Sequence, residues 1–160
     1  MTAPDAETVA TRTRGGKYLT FVLANEEYAF EIHTVHEIVG IMAITPVPHS
    51  HPVIRGVVNL RGKVVPIVDL RRRFAMTPPA AGVAPATCII VLHVRNLLVG
   101  IAVDAVSDVR MIHDAEIEPP PAFGSDVDTS CLLGVANSEG KVRMLLDAEK
   151  VVALDVIASL

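Results

Sequence analysis

Four of the six histidines stand in two close pairs, His33 with His36 and His49 with His51. Imidazole pairs are the first place to look for a metal, and zinc needs three or four converging nitrogen, sulfur or carboxylate donors. The two pairs fall on different predicted elements, and no Cys or further carboxylate accompanies them at matching spacing, so the residues do not favour a metal centre. Cys88 and Cys131 lie far apart and form no CxxC. They read as reduced, largely buried thiols of a cytosolic protein. There is no GxSxG turn, and neither cysteine sits in a nucleophile motif. Gly15, Gly16 and Lys17 lack the remaining glycine spacing and the preceding strand of a phosphate loop. Arg71, Arg72 and Arg73 make a local basic run, read as a solvated helix face, with a partner contact as the alternative. The expectation is a non-enzyme with no catalytic residue, metal or cofactor.

The elements that would have to carry any site are strands. The chain of 160 residues is 51% hydrophobic but only 4% aromatic, and 24 of its residues are valine, whose branched side chain suits a pleated surface. A net charge of −4 leaves no basic face for nucleic acid. Without flanking aromatic side chains the arginine run does not supply one. The most apolar stretch, 88–103, is interrupted by His93, Arg95 and Asn96, so nothing reaches the roughly 18 apolar residues of a membrane span. The first 17 residues have no apolar signal-peptide core. A cytoplasmic protein without direct membrane insertion is expected.

Along the chain, 1–16 carries almost no large apolar side chain and reads as a flexible tail. Leu19, Phe21 and Leu23 alternate with Tyr18, Thr20 and Val22, and after a turn at Asn25–Glu26, Tyr28, Phe30 and Ile32 do the same. That is a hairpin. Residues 34–39 fit one helical turn, 41–45 a strand, and Pro46, Pro48 and Pro52 a loop. A second hairpin spans 56–69 around Arg61, Gly62 and Lys63. Residues 76–85, rich in Pro, Ala and Gly, read as a connector. Strands are expected at 87–94, 97–103 and 108–112. A proline loop at 119–121, a hairpin at 132–146 and a closing helix at 148–157 follow.

The most informative feature is an internal repeat. Residues 56–74 align without a gap to 134–152, with identity at seven of nineteen positions: Gly, Val, Asn, Gly, Lys, Val and Asp. Upstream, Ile32, Val35, Glu37 and Ile38 match Val103, Val106, Asp108 and Val109 at a constant offset. The close pair Asp104 and Asp108 thus corresponds to His33 and Glu37, so it is no paired-carboxylate device. Two copies of one small β unit are implied, each too small to bury much core alone, so they must pack together. The shared residues Gly56/Gly134, Asn59/Asn137, Gly62/Gly140 and Asp69/Asp147 are explained by turn geometry and helix capping. The copies differ at Leu60–Arg61 against Ser138–Glu139, and an exposed Leu–Arg pair on a hairpin tip is a plausible contact, with neutral drift of a surface turn as the alternative. Pro66 replaces the Met144 of the other copy. Lacking an N–H, its nitrogen should face away from any ladder, at an edge or beside a bulge.

The runs KYLTFVLANEEYAFEIHTVHEIVG, ITPVP, IRGVVNLRGKVVPIVDLRRRF, GIAVDAVSDV, IEPPP and GVANSEGKVRMLLDAEKVV resemble the CheW domain of bacterial chemotaxis, over roughly 17–152. The loop at His51 and Pro52 departs from the family's proline placement. The resemblance implies a mainly β fold of two tandem five-stranded SH3-like β-barrels with short helices and a C-terminal helix. The expected divisions are a tail at 1–16, a first barrel at 17–78, a connector at 79–86 and a second barrel at 87–160. It implies an adaptor that links methyl-accepting chemoreceptors to the histidine kinase CheA, associated with receptor arrays only through its partners. Those partners would be the kinase's regulatory domain, itself similar in fold, and the receptors' cytoplasmic tips. Asn59, Leu60, Arg61 and Gly62 would face the receptor, and Val35 and Glu37 would contact one partner or the other. A chain ending at Leu160 leaves no room for a fused kinase or receiver. Two alternatives stand beside this reading: a coupling protein of a pilus-type motility pathway, and a β-barrel protein that binds a ligand or metal.

Overall fold

The computed structural model describes residues 15–48, 52–74, 88–119 and 131–152. Their strands are β1 (Gly16–Leu23), β2 (Glu26–Glu31), β3 (Val35–Gly40), β4 (Ile54–Leu60), β5 (Lys63–Val68), β6 (Cys88–Val94), β7 (Leu97–Val103), β8 (Ala105–Ile112), β9 (Ile117–Glu118), β10 (Leu132–Ser138) and β11 (Lys141–Leu146). Two short helices, α1 (Leu70–Arg73) and α2 (Ala148–Val152), follow β5 and β11. The tail at 1–14, the loop at His49 and His51, the connector at 79–86 and the end of the closing helix beyond 152 lie outside the described residues. Gly16, expected in the tail, already belongs to β1.

Four hairpins turn on two residues, and both have positive φ in each: Ala24–Asn25, Arg61–Gly62, Arg95–Asn96 and Glu139–Gly140. This is the mirror-image turn whose twist matches antiparallel strands. The first turn is therefore one residue earlier than Asn25–Glu26.

One sheet runs β8-β1-β2-β11-β10-β9 and the other β3-β6-β7-β5-β4. The duplication is visible strand by strand, because β1, β2 and β3 correspond to β6, β7 and β8, and β4, β5 and α1 to β10, β11 and α2. The sheets nonetheless do not follow the halves 17–78 and 87–160. The hairpin β1–β2 lies between β8 and β11, and its counterpart β6–β7 lies between β3 and β5. Each barrel thus holds the first hairpin of one copy and the later strands of the other. In this arrangement Tyr18, Leu19, Thr20 and Phe21 are buried in succession, so β1 is covered on both faces.

Three apolar clusters result. Tyr18, Ala29, Ile112, Ile117, Ala136 and Leu145 fill the six-stranded sheet. Val58, Leu60, Val65, Ile67, Ile89, Val91 and Ala102 fill the five-stranded one. The largest cluster, around Phe21, Phe30, Ile90, Ile101, Leu146 and Val151, draws on both sheets and both copies, so the barrels share their main core.

Some local expectations are corrected. In place of a helical turn at 34–39, a short 3-10 turn at Ile32–Thr34 leads into strand β3 at Val35–Gly40, because pairing with β6 outweighs a single helical turn. Residues 41–44 are not strand, and Thr45 contributes only a bridge to Val57. Pro66 is not on an edge, since β5 lies between β4 and β7 and Pro66 pairs with Val57, but the expected bulge is present in the facing strand, between Ile54 and Gly56 opposite Val68 and Ile67. Counting alternately from the hydrogen-bonded pair Leu60–Lys63 that closes the turn, its nitrogen faces β7. The β5–β7 ladder begins one residue later, at Ile67 and Gly100. In the other copy the matching parallel ladder starts two residues earlier, at Arg143 and Glu27. The proline therefore shortens a ladder inside the sheet.

Candidate interaction surface

Asn59, Leu60, Arg61 and Gly62 form the end of β4 and its turn. The Asn59 Oδ1 accepts the Gly62 N–H at 2.8 Å, which fixes the turn and explains why both copies hold Asn and Gly there. Leu60 is not exposed: it is 6% accessible and packs inside its barrel. The expected Leu–Arg surface pair is therefore Arg61 alone, carried on a buried leucine.

The Arg61 guanidinium donates to the Glu37 carboxylate. β3 and β4 stand at opposite ends of their sheet's strand order, so this ion pair bridges the two edges of the barrel. The hydrogen bond from Arg61 holds the Glu37 carboxyl below its ordinary range, and the pairing pushes the Arg61 guanidinium up. His36 Nε2 stands 3.6 Å from the same carboxylate. The second barrel bridges the corresponding strand and tip with the charges reversed, from a position two residues further along the strand: Glu139 on the hairpin tip accepts from Arg110 of β8 at 2.9 Å. An ion pair at this place belongs to the barrel, and the sign of the tip charge is specific to each copy.

Val35 and Glu37 are separated by a β-bulge, because Leu92 and Val91 of β6 face Val35 and Glu37 with His36 as the additional residue. The bulge turns the strand over. Val35 packs against the shared core and Val39 against the interior of the five-stranded barrel. The same irregularity falls at Ser107 in β8, between Val106 and Asp108. Val35 is therefore a half-buried packing residue, while Glu37 joins the Arg61 tip.

Beside the tip lies a feature the sequence reading missed. Where Pro66 delays the β5–β7 ladder, a cleft of about 340 Å³ opens, lined by Lys63, Val64, Val65, Pro66, Asn96, Leu97 and Leu98. Val64 is 69% and Leu97 42% exposed. A smaller cleft of about 180 Å³, lined by His36, Leu60, Arg61, Lys63 and Leu98, adjoins it through Lys63 and Leu98. The matching place in the other barrel carries ion pairs instead: Glu27 accepts from Arg143 at 2.9 Å and lies 3.3 Å from Lys141. Burial alone would raise the Glu27 carboxyl, but the hydrogen bonds from Lys141 and Arg143 bring it below its ordinary range. The sequence signal was available in Pro66 and Leu97, where the other copy has Met144 and Glu26; the exposed Val64 has an exposed counterpart in Val142.

Within the arginine run only Arg72 keeps the expected solvated position, with its side chain 61% exposed, while Arg71 and Arg73 are half-buried. Arg71 donates to both oxygens of Asp104 at 2.9 and 3.1 Å, Arg72 to the Pro52 carbonyl at 2.9 Å, and Arg73 to the Lys150 carbonyl at 3.1 Å. Two of the three stitch the copies together. Among the described residues no three His, Cys, Asp or Glu side chains converge as metal ligands, and His49 and His51 lie outside them. Cys88 is half-buried and Cys131 buried, the latter's Sγ accepting from Arg73 at 3.2 Å. No helix of the described residues is long and apolar enough to cross a membrane.

Comparison with known proteins agrees with this architecture. The family model for the CheW-like domain matches residues 17–155. The chain is 37% identical over 150 residues to the chemotaxis protein CheW of Klebsiella aerogenes, covering 94% of this chain and 89% of the relative. It is 39% identical over 140 residues to the CheW of Rhizobium meliloti, covering 87% and 89%. The crystal structure of the scaffolding protein TtCheW from Thermoanaerobacter tengcongensis superposes with a TM-score of 0.74 at 34% identity, covering 83% of this chain and 84% of the other. The fold is accordingly mainly β, two SH3-like barrels with few and short helices, and the chain belongs to the CheW family.

Proposed function

We propose that this chain is a non-catalytic coupling adaptor, holding the regulatory domain of a CheA-type histidine kinase against the cytoplasmic tips of methyl-accepting chemoreceptors. The observation that carries the reading is the continuous rim around the β4–β5 hairpin, an ionic tip next to an exposed apolar cleft, on a chain of the CheW family. The receptor side is assigned to Arg61, with Asn59, Leu60 and Gly62 setting its turn and Glu37 holding its guanidinium. Val35 supports Glu37 from the shared core. The kinase side is assigned to the cleft at Val64, Pro66, Leu97 and Leu98. A partner that is itself a β-barrel can lay a strand there, because parallel pairing is absent ahead of Ile67 and large apolar side chains stand exposed. Receptor movement then shifts kinase activity through the different contacts each receptor state makes with the adaptor. The protein would reach the membrane array only through these partners.

The test is paired pull-down with purified kinase and receptor fragments. Wild type should retain both. Leu97→Glu should lose the kinase and keep the receptor, and Arg61→Glu the reverse. Retention of both partners by both variants would remove the assignment.

A further inference from the structure

The exchanged strand order has a consequence for association. Four strand pairings cross between the copies: β1 with β8, β2 with β11, β3 with β6 and β5 with β7. The cross-copy contacts include Arg71 to Asp104, Arg73 to the Lys150 carbonyl, Arg143 to Glu27 and Thr20 to Asp108, the last at 2.6 Å. The main core is likewise built from both. Neither half can satisfy its first hairpin alone, because the strands that flank β1–β2 and β6–β7 all come from the other half. Within one chain the two halves are joined only through 75–87, which carries Pro78, Pro79, Gly82 and Pro85.

We propose that each half is a complementary binding surface that a second copy of this chain can also fill. Residues 15–74 of one copy and 88–152 of another build the same pair of sheets, giving a reciprocally exchanged dimer. No new contact is needed, since every pairing in the dimer is one the single chain already makes; exchange of identical elements is a low-cost route to association. The single chain wins in dilute solution through the high effective concentration of its own second half. Once formed, the dimer can dissociate only by opening both sheets, so it persists after dilution.

The test uses two full-length variants, both carrying Cys88→Ser to remove the half-exposed thiol. One has Lys17→Cys and the other Met111→Cys, positions that face each other across β1 and β8 and are both exposed. Opposed strand residues lie within the distance a disulfide spans, and a chain carrying both substitutions must close the bond internally, which verifies the geometry. The two variants are unfolded, mixed, refolded at rising concentration, diluted and oxidised. The mixed covalent dimer should increase with refolding concentration and dominate over both same-variant dimers, while variants mixed after folding should give none. If the internal control closes and the refolded mixture yields no excess of mixed dimer at any concentration, exchange does not occur.

Discussion

Arg61 and Leu60 are neighbours with opposite roles. Leu60 is buried inside the barrel, so Leu60→Ala should destabilise the protein by about 2–5 kcal/mol and weaken every partner together. Arg61 is an exposed side chain, so although Arg61→Glu breaks the pair and sets a second carboxylate beside Glu37, solvent screening should keep the loss of stability small and the melting temperature should fall only slightly. Receptor affinity should nonetheless fall by at least about tenfold if Arg61 is an interface anchor, a difference that titration calorimetry reads directly. Tyr28 gives the clearest pH dependence. Burial first, and the nearby Glu26 charge second, push its phenol from 10.0 up to about 12. The folded state therefore favours the neutral phenol, and the stability this contributes is complete below 10 and disappears as pH rises toward 12. Chemical denaturation from about pH 9, below that window, to about pH 11.5, inside it, should show stability falling in wild type more steeply than in Tyr28→Phe; equal slopes would show that Tyr28 ionises as freely in the folded protein as in the unfolded one.

At the scale of elements, the paired glycines Gly56 and Gly134 separate close approach from turn chemistry. Neither lies in a turn. Gly56 has φ +149, and a Cβ there would stand 2.2 Å from the Thr45 carbonyl oxygen; at Gly134 the same atom would meet the Glu118 carbonyl at 2.9 Å. Gly56→Ala should therefore cost roughly 1–3 kcal/mol, measurable by denaturation, while Gly62→Ala, with nothing within 4 Å of the added carbon, should cost less despite its positive φ. Here the sequence was legible only in part. The repeat paired the two glycines but explained them by turn geometry, whereas Gly56 is required by the Thr45–Val57 bridge and Gly134 by the approach of Glu118 in β9, contacts no periodicity reveals. Strand β3 was missed for a related reason: the bulge at His36 breaks the period-two pattern, leaving Val35, Ile38 and Val39 at helix-like spacing. The hairpins were readable because each carries its own turn residues. The Arg61 tip was readable because the other copy holds Glu139 there. Its partner Glu37 was singled out by resemblance, and the ion pair joining them depends on barrel closure, which is not local.

At the scale of the whole molecule, the duplication could be read from the chain, whereas the exchange of hairpins could not, since the strand pattern alone does not say which copy's strands flank each hairpin. Exchange merges the two barrels into one body with a shared core, which suits a coupling protein: displacement at one partner's surface is carried by packed strands instead of being absorbed at a hinge. The central claim is that this body transmits receptor state to a kinase. The most direct measurement is the autophosphorylation rate of purified kinase with receptor-containing membranes, in the presence and absence of this protein, with and without receptor ligand. The account predicts that the receptors change the kinase rate only when the protein is present, that ligand modulates that rate, and that Arg61→Glu and Leu97→Glu each abolish the effect. Equal rates and equal ligand responses with and without the protein would contradict it.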